Sequence, residues 1–107
     1  MSSVFKDTVA LTSDATAYQL STLMSAIDST FPSGSAIEVR VTNDAGNGSP
    51  ILMGGSNVGT SHYSDKLLPG QSITERADGR STIDLTRWWA MSNGAANQKL
   101  LIMARVR

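Results

Sequence analysis

The side chains that could carry chemistry are few in this chain of 107 residues, which has one histidine and no cysteine. Nucleophilic catalysis would depend on a Ser–His–Asp arrangement around His62, and Asp65 lies too close to it in sequence to be a natural orienting partner. The sequence contains no clustered acidic residues either. We therefore expect no catalytic residue, no cofactor and no metal site, and we interpret His62 as an ordinary surface residue or a contact residue at a loop tip.

Two glycine-rich stretches resemble ligand-binding loops only in part. "GGSNVG" (54–59) lacks the lysine of a phosphate-binding loop, and no helical pattern follows it. "NDAGNG" (43–48) lacks the alternating acidic ligands and the closing glutamate of a calcium loop, so we interpret it as a hairpin turn. We expect Gly54 and Gly55 to allow a bend and Val58 to plug the core, which leaves "TSHYSDK" (60–66), including Tyr63, free to contact a partner.

The adjacent tryptophans of "RWWAM" raise a separate question. On a strand, Trp88 and Trp89 would point to opposite faces, and a small sandwich has one core, so one of the two rings lies outside it. That ring is covered by a loop or the helix of the same chain, or it is buried in a subunit or partner interface, or it stacks on a sugar. The sequence leaves these three alternatives open.

Alternating apolar residues predict the strands that must position these side chains. The segments are "VFKDTVAL" (4–11), "AIEVRVTN" (36–43), "ILM" (51–53), "QSITERA" (71–77), "STIDLTRWW" (81–89) and "KLLIMARVR" (99–107). Because "DG" at 78–79 favours a tight hairpin, a meander is the simplest arrangement of segments 71–77 and 81–89. We expect at least six strands in the domain as a whole. One helix is predicted near 15–27 from the apolar stripe in "TSDATAYQLSTLMSAI", with Thr12, Ser13 or Asp14 as its cap.

The same alternation predicts the core. Its expected members are the inward-facing residues Ile37, Val39, Val41, Ile73, Ile83, Leu85, Leu100, Ile102 and Val106. In the last strand, Leu101 and Met103 make the second face apolar as well. We expect that second face to be covered by a neighbouring element, the helix or another subunit.

Length and charge limit the class of protein. A chain of this length fits one domain (1–107), in which residues 1–12 form a first strand or an N-terminal arm, and its thin core favours oligomerisation. Nine basic and nine acidic residues without a basic run make nucleic acid an unexpected partner. "MSSVFKDTVALT" has no signal-peptide pattern, and no stretch of 18 apolar residues occurs, so we expect synthesis in a cytoplasm, a soluble product and no membrane partner.

The order of the segments adds a resemblance. "IEVRVTN", "NGSPILMGGSNVGTS", "KLLPGQSI", "STIDLTRWWAM" and "KLLIMARVR" follow one another over residues 36–107. This order resembles the small virion proteins of tailed bacteriophages, which are capsid decoration or cement subunits and related β modules of head and tail fibres. The resemblance implies a β-sandwich structural protein with no enzymatic activity. Together with the predicted helix, we expect an all-β protein, a small antiparallel β-sandwich of jelly-roll type with one short helix. The sequence departs from this resemblance at "RWWAMSNGAANQ". The departure affects what the resemblance implies about the partner-facing surface and not what it implies about the fold.

The resemblance also implies a function and partners. We expect a decoration protein of the capsid surface that binds the major capsid protein across subunit joints and stabilises the assembled shell. A homotrimer is the favoured state. The interface candidates are Trp88, Trp89, Leu101, Met103, His62 and Tyr63, with the 1–12 arm or the 57–66 loop helping to hold the shell. The alternative is a tail or fibre adsorption module that binds host-surface carbohydrate through a tryptophan and Tyr63.

Overall fold

Eight strands and one short helix follow one another in the computed structural model, which describes residues 3–106. In chain order they are β1 (Ser3–Leu11), β2 (Ala17–Gln19), α1 (Leu20–Ile27), β3 (Ala36–Asn43), β4 (Ile51–Gly54), β5 (Asp65–Leu67), β6 (Ser72–Arg76), β7 (Trp89–Ser92) and β8 (Gln98–Val106). A single 3₁₀ turn (Leu85–Arg87) precedes β7. Of the two alternatives for the N-terminal segment, residues 3–11 form a strand, and residues 1 and 2 lie outside the described part.

The strands form two antiparallel four-stranded sheets. Sheet one has the order β1-β8-β3-β6 and sheet two the order β2-β7-β4-β5. The pairs β1/β8, β2/β7, β3/β6 and β4/β5 are those of one long two-stranded ribbon, and the additional pairs β3/β8 and β4/β7 fold that ribbon into a sandwich. This is the arrangement of a jelly roll. The predicted small β-sandwich with one short helix is confirmed.

The predicted meander is wrong. The "NDAGNG" segment does not form a hairpin, because it leads from β3 in sheet one to β4 in sheet two. The "DG" turn has the expected positive φ at Gly79, yet β6 and β7 also lie in different sheets. Within 81–89, Ile83 makes an isolated bridge to Ala36, and the 3₁₀ turn follows it. Turn residues fix a local bend, but long-range pairing decides which sheet the next strand joins.

The helix is shorter than predicted, because the first part of the predicted segment is not helical. Residues 17–19 form β2, which pairs with β7, so α1 begins only at Leu20. Asp14 does not cap the helix, since its carboxylate accepts a hydrogen bond from the backbone N–H of Gly94 at 2.8 Å. The N-cap residue is Gln19, and it makes no side-chain capping bond. Tertiary pairing with β7 overrides the local helical pattern here.

The core lies between the two sheets and follows the alternation along β3 and β8. Of the residues predicted to form it, the buried ones are Val39, Val41, Ile83, Leu85, Leu100, Ile102 and Val106. Ile37 is only half-buried, because the register with β8 shifts between Ala36 and Glu38 and Ala36 takes the inward position. Ile73 faces the core opposite Val41 but is half-buried, since it lies on the edge strand β6.

Candidate binding surfaces

A second apolar cluster lies on the outer face of sheet two. It consists of the buried residues Leu52, Val58 and Met91, with Ala17 and Trp89 packed against them, and we call it the outer cluster. Val58 belongs to the loop at 55–64 and packs into this outer cluster. The prediction that Val58 fills the sandwich core is therefore wrong. A Cβ on Gly54 would lie 3.2 Å from Cγ2 of Val58. Glycine at position 54 therefore lets the loop fold closely over the sheet.

The two tryptophans point to different clusters of the same chain. Trp88 packs against the core between the sheets, whereas Trp89 packs against the outer cluster. Both side chains are half-buried. Of the three alternatives for the surplus ring, cover within the chain accounts for the buried part of Trp89, and the accessible part of each ring stays available for a partner.

The loop at 55–64, called the anchored loop below, is held at three points. Besides buried Val58, Gly59 and His62 exchange two backbone hydrogen bonds of 2.9 and 3.1 Å. The backbone N–H of Ser64 donates to the carbonyl of Met53 at 2.8 Å as the chain enters β5. His62 is exposed, and Tyr63 is 48% exposed. The loop therefore presents both side chains from a fixed backbone.

An open cleft of about 980 Å³ separates the anchored loop from the edge of sheet one and the 3₁₀ turn. Three of the six predicted interface residues, His62, Tyr63 and Trp88, line this cleft together. Polar side chains complete its wall, among them Asn57, Asp65, Glu75 and Arg87. Aromatic rings beside a few polar groups suit recognition of a ligand or of a protruding partner segment.

Leu101 and Met103 lie elsewhere, on the outer face of sheet one. Leu101 is 38% exposed and Met103 is half-buried. They floor a shallow hollow of about 350 Å³ whose walls include Lys6, Thr8 and Arg40. The predicted interface residues are thus divided among three surfaces, because Trp89 lies in the outer cluster of sheet two, on the strand between β2 and β4.

The sequence did not predict an ion-paired carboxylate, Glu38, which lies on the outer face of sheet one. Nε of Arg76 lies 2.7 Å from Oε2 of Glu38, and Nη1 of Arg105 lies 3.6 Å from Oε1. The hydrogen bond from Arg76 lowers the pKa of the Glu38 carboxyl below its ordinary value of 4.5, against partial burial, which raises the pKa. In the sequence, the only indication of this ion pairing is that three predicted strands carry outward-facing charges. Which of these charges meet depends on the pairing of the strands, which the sequence pattern does not give.

Two further observations concern the described residues only. Within 3–106, no group of three or more His, Cys, Asp or Glu side chains is placed to hold a metal ion. None of the helical segments in that range has the length and apolar character needed to cross a membrane.

Comparisons with known proteins assign no family to this chain. No protein-family model matches it, and no curated protein does. Among solved structures it is similar to a chain from Bacillus endospore appendages, which form a novel family of disulfide-linked pili. The identity is 18% and the TM-score 0.42, over 99% of this chain and 89% of the other. A likeness at this level carries no argument about function.

Proposed function

We propose that this chain is a non-enzymatic structural protein of a bacteriophage virion, a decoration or cement subunit that binds the assembled head. Its partner is the major capsid protein, its location is the capsid surface, and it is made in the host cytoplasm. A protein that binds only the assembled shell stabilises that shell by mass action. The proposal starts from the segment order of residues 36–107.

The observation that carries the proposal is the anchored loop. Buried Val58 and the paired backbones of Gly59 and His62 leave the loop few conformations to lose when it binds. Tyr63, which is 48% exposed on this loop, is of a residue type that often dominates the energy of protein interfaces. A rigid sandwich with a fixed, exposed aromatic loop is suited to binding a preformed surface.

The strand order is compatible with the proposal without deciding it. Jelly-roll sandwiches form viral capsid domains, and they also form lectin domains. Because one fold serves many functions, this support is an analogy of fold.

The test is fractionation of the phage that encodes the chain. Heads and tails are separated on a density gradient, and each fraction is probed with an antibody against the purified protein. We expect the protein in the fraction that contains heads and not in the fraction that contains tails. Its presence with tails alone, or with neither particle, would overturn the decoration role.

The trimer is part of the same proposal. Its support is the accessible part of Trp88 and Trp89, because large aromatic residues are enriched where subunits meet. Sedimentation equilibrium of the wild-type protein should give about three times the chain mass of 11.3 kDa. The masses of the single variants Trp88→Ala and Trp89→Ala are then compared with that of the wild type by the same measurement. A monomeric wild-type protein would exclude the trimer.

A second candidate function, a tail or fibre module that binds host-surface carbohydrate, is favoured by the cleft. Trp88 and Tyr63 line it beside Asn57, Asp65 and Glu75. Aromatic faces with neighbouring amide and carboxylate groups can contact both the apolar and the hydroxyl parts of a sugar.

Single-tryptophan variants test the second candidate. The chain has two tryptophans, so Trp89→Phe leaves Trp88 as the sole indole and Trp88→Phe is the matched control. Titration with host-surface polysaccharide should change the fluorescence of the Trp89→Phe protein and not that of the Trp88→Phe protein. Equal responses, or none, would count against a sugar in this cleft.

A further inference from the structure

The fold gathers positive charge on one face, although the chain as a whole has a net charge of zero. Alternation along β1, β8, β3 and β6 places five of the nine Lys and Arg residues on the outer side of sheet one. They are Lys6, Arg40, Arg76, Lys99 and Arg105. Among the outward positions of these strands Glu38 is the single carboxylate, and it is already paired with Arg76 and Arg105. We call this surface the cationic face.

The centre of the cationic face is concave and has an apolar floor, formed by Leu101 and Met103. The register brings Leu101 opposite Thr8 and Thr42, and Met103 opposite Lys6 and Arg40. The resulting hollow of about 350 Å³ has room for an apolar side chain of a partner. Asp7 also borders this hollow, although the alternation along β1 puts it on the side of inward-facing Val9.

We infer that the cationic face binds an acidic polypeptide segment, with an apolar side chain of the segment in the Leu101/Met103 hollow and its carboxylates on Lys6 and Arg40. An apolar centre with a charged rim is the anatomy of a protein interface. The inference concerns a second surface and does not depend on the anchored loop or its cleft.

Two other occupants fit the face less well. A two-fold contact of the face with a second copy would bring like charges together, and such contacts are unfavourable. Single-stranded nucleic acid uses aromatic side chains on which bases stack, and the outward positions of these four strands carry no aromatic residue. An acidic peptide with an apolar side chain matches both the positive charge of the cationic face and the aliphatic floor of the Leu101/Met103 hollow.

Fluorescence anisotropy with defined probes tests the inference. The first probe is a fluorescein-labelled peptide with one leucine between two runs of glutamate, the second has serine in place of the leucine, and the third is labelled oligothymidine. The wild-type protein should bind the leucine peptide saturably and more tightly than either other probe. Added salt should weaken this binding, because exposed charges are screened.

Variants separate the charged rim from the hollow. Lys6→Gln combined with Arg40→Gln should weaken the leucine peptide by about tenfold, whereas Arg80→Gln, an exposed cation outside the face, should leave it unchanged. Leu101→Ser should abolish the preference for leucine over serine. Circular dichroism checks that each variant is folded.

Three results would overturn the inference. One is the absence of saturable binding to the leucine peptide by the folded wild-type protein. Another is oligothymidine binding at least as tight as peptide binding, which would assign the face to nucleic acid. The third is an equal effect of the Lys6/Arg40 pair and of Arg80. A protein that is absent from heads in the fractionation test could still bind the leucine peptide. The two proposals therefore fail separately.

Discussion

The side-chain amide of Asn47 donates a hydrogen bond of 2.6 Å to Oδ1 of Asn43, and this contact ties the crossover between the sheets to the end of β3. Asn43 is fully buried, and its own amide donates to the carbonyls of Ser49 at 3.1 Å and Leu67 at 2.8 Å. One side chain thereby satisfies backbone groups of the crossover and of β5. The network fixes the point at which the chain leaves sheet one for sheet two.

Asn43→Ala should therefore destabilise the protein. The change leaves two buried carbonyls and the amide of Asn47 without this partner, and an unsatisfied buried polar group costs about 1–3 kcal/mol. Urea denaturation measures the free energy of unfolding. Asn57→Ala, at an exposed position, is the matched control. Equal stabilities of the two variants would show that the network is not a determinant of the fold.

Gly54→Ala should loosen the anchored loop. The added Cβ would meet Cγ2 of Val58 at 3.2 Å, and overpacking of this kind costs about 1–3 kcal/mol. Hydrogen exchange of the Gly59 and His62 amides should accelerate. At Gly48, a Cβ meets nothing within 4 Å, so Gly48→Ala is the control.

A double-mutant cycle sharpens this prediction. In a Val58→Ala background the new Cβ at position 54 has room, so Gly54→Ala should cost less than it does in the wild type. Strictly additive effects would mean that the contact between positions 54 and 58 does not hold the loop.

Glu38 should make stability depend on pH. Because its folded-state pKa is lowered from 4.5, mainly by the hydrogen bond from Arg76, the carboxylate stabilises the folded protein above pH 4.5. That contribution is lost as the pH falls through the folded-state pKa. Thermal unfolding of Glu38→Gln should therefore decline less with acid than that of the wild type.

Some acid dependence should remain in that variant. Hydrogen bonds from Thr30 and Thr86 lower the pKa values of Asp28 and Asp84 in the same direction. Parallel declines of the wild type and Glu38→Gln would contradict the ion pairing on the cationic face.

Two adjacent residues of β8 should respond very differently to truncation. Ile102 is 2% exposed between the sheets, and Ile102→Ala should cost about 2–5 kcal/mol through the lost contacts and the cavity. Leu101 is 38% exposed, and Leu101→Ala should change stability by about 0.5 kcal/mol. A small effect at Ile102, measured by urea denaturation, would mean that the register of the last strand is wrong.

Local sequence patterns predicted the strands well and their partners poorly. Alternation identified β3 and β8 and most of the core, because one face of each strand must be buried. It could not foresee the register shift that leaves Ile37 half-buried or the pairing of β2 with β7, since both depend on residues distant in the chain. For the same reason, the cationic face and the packing of Val58 over Gly54 became visible only with the register known.

The most direct test of the central claim is a co-sedimentation titration of the purified protein with expanded heads of the same phage from which the gene for this chain has been deleted, so that the binding sites are free. The account predicts saturable binding of the wild type, about tenfold weaker binding of Tyr63→Ala, and unchanged binding of Leu68→Ala, a control at a similarly exposed apolar residue outside the cleft. Absence of wild-type binding, or equal binding of Tyr63→Ala and the wild type, would contradict it.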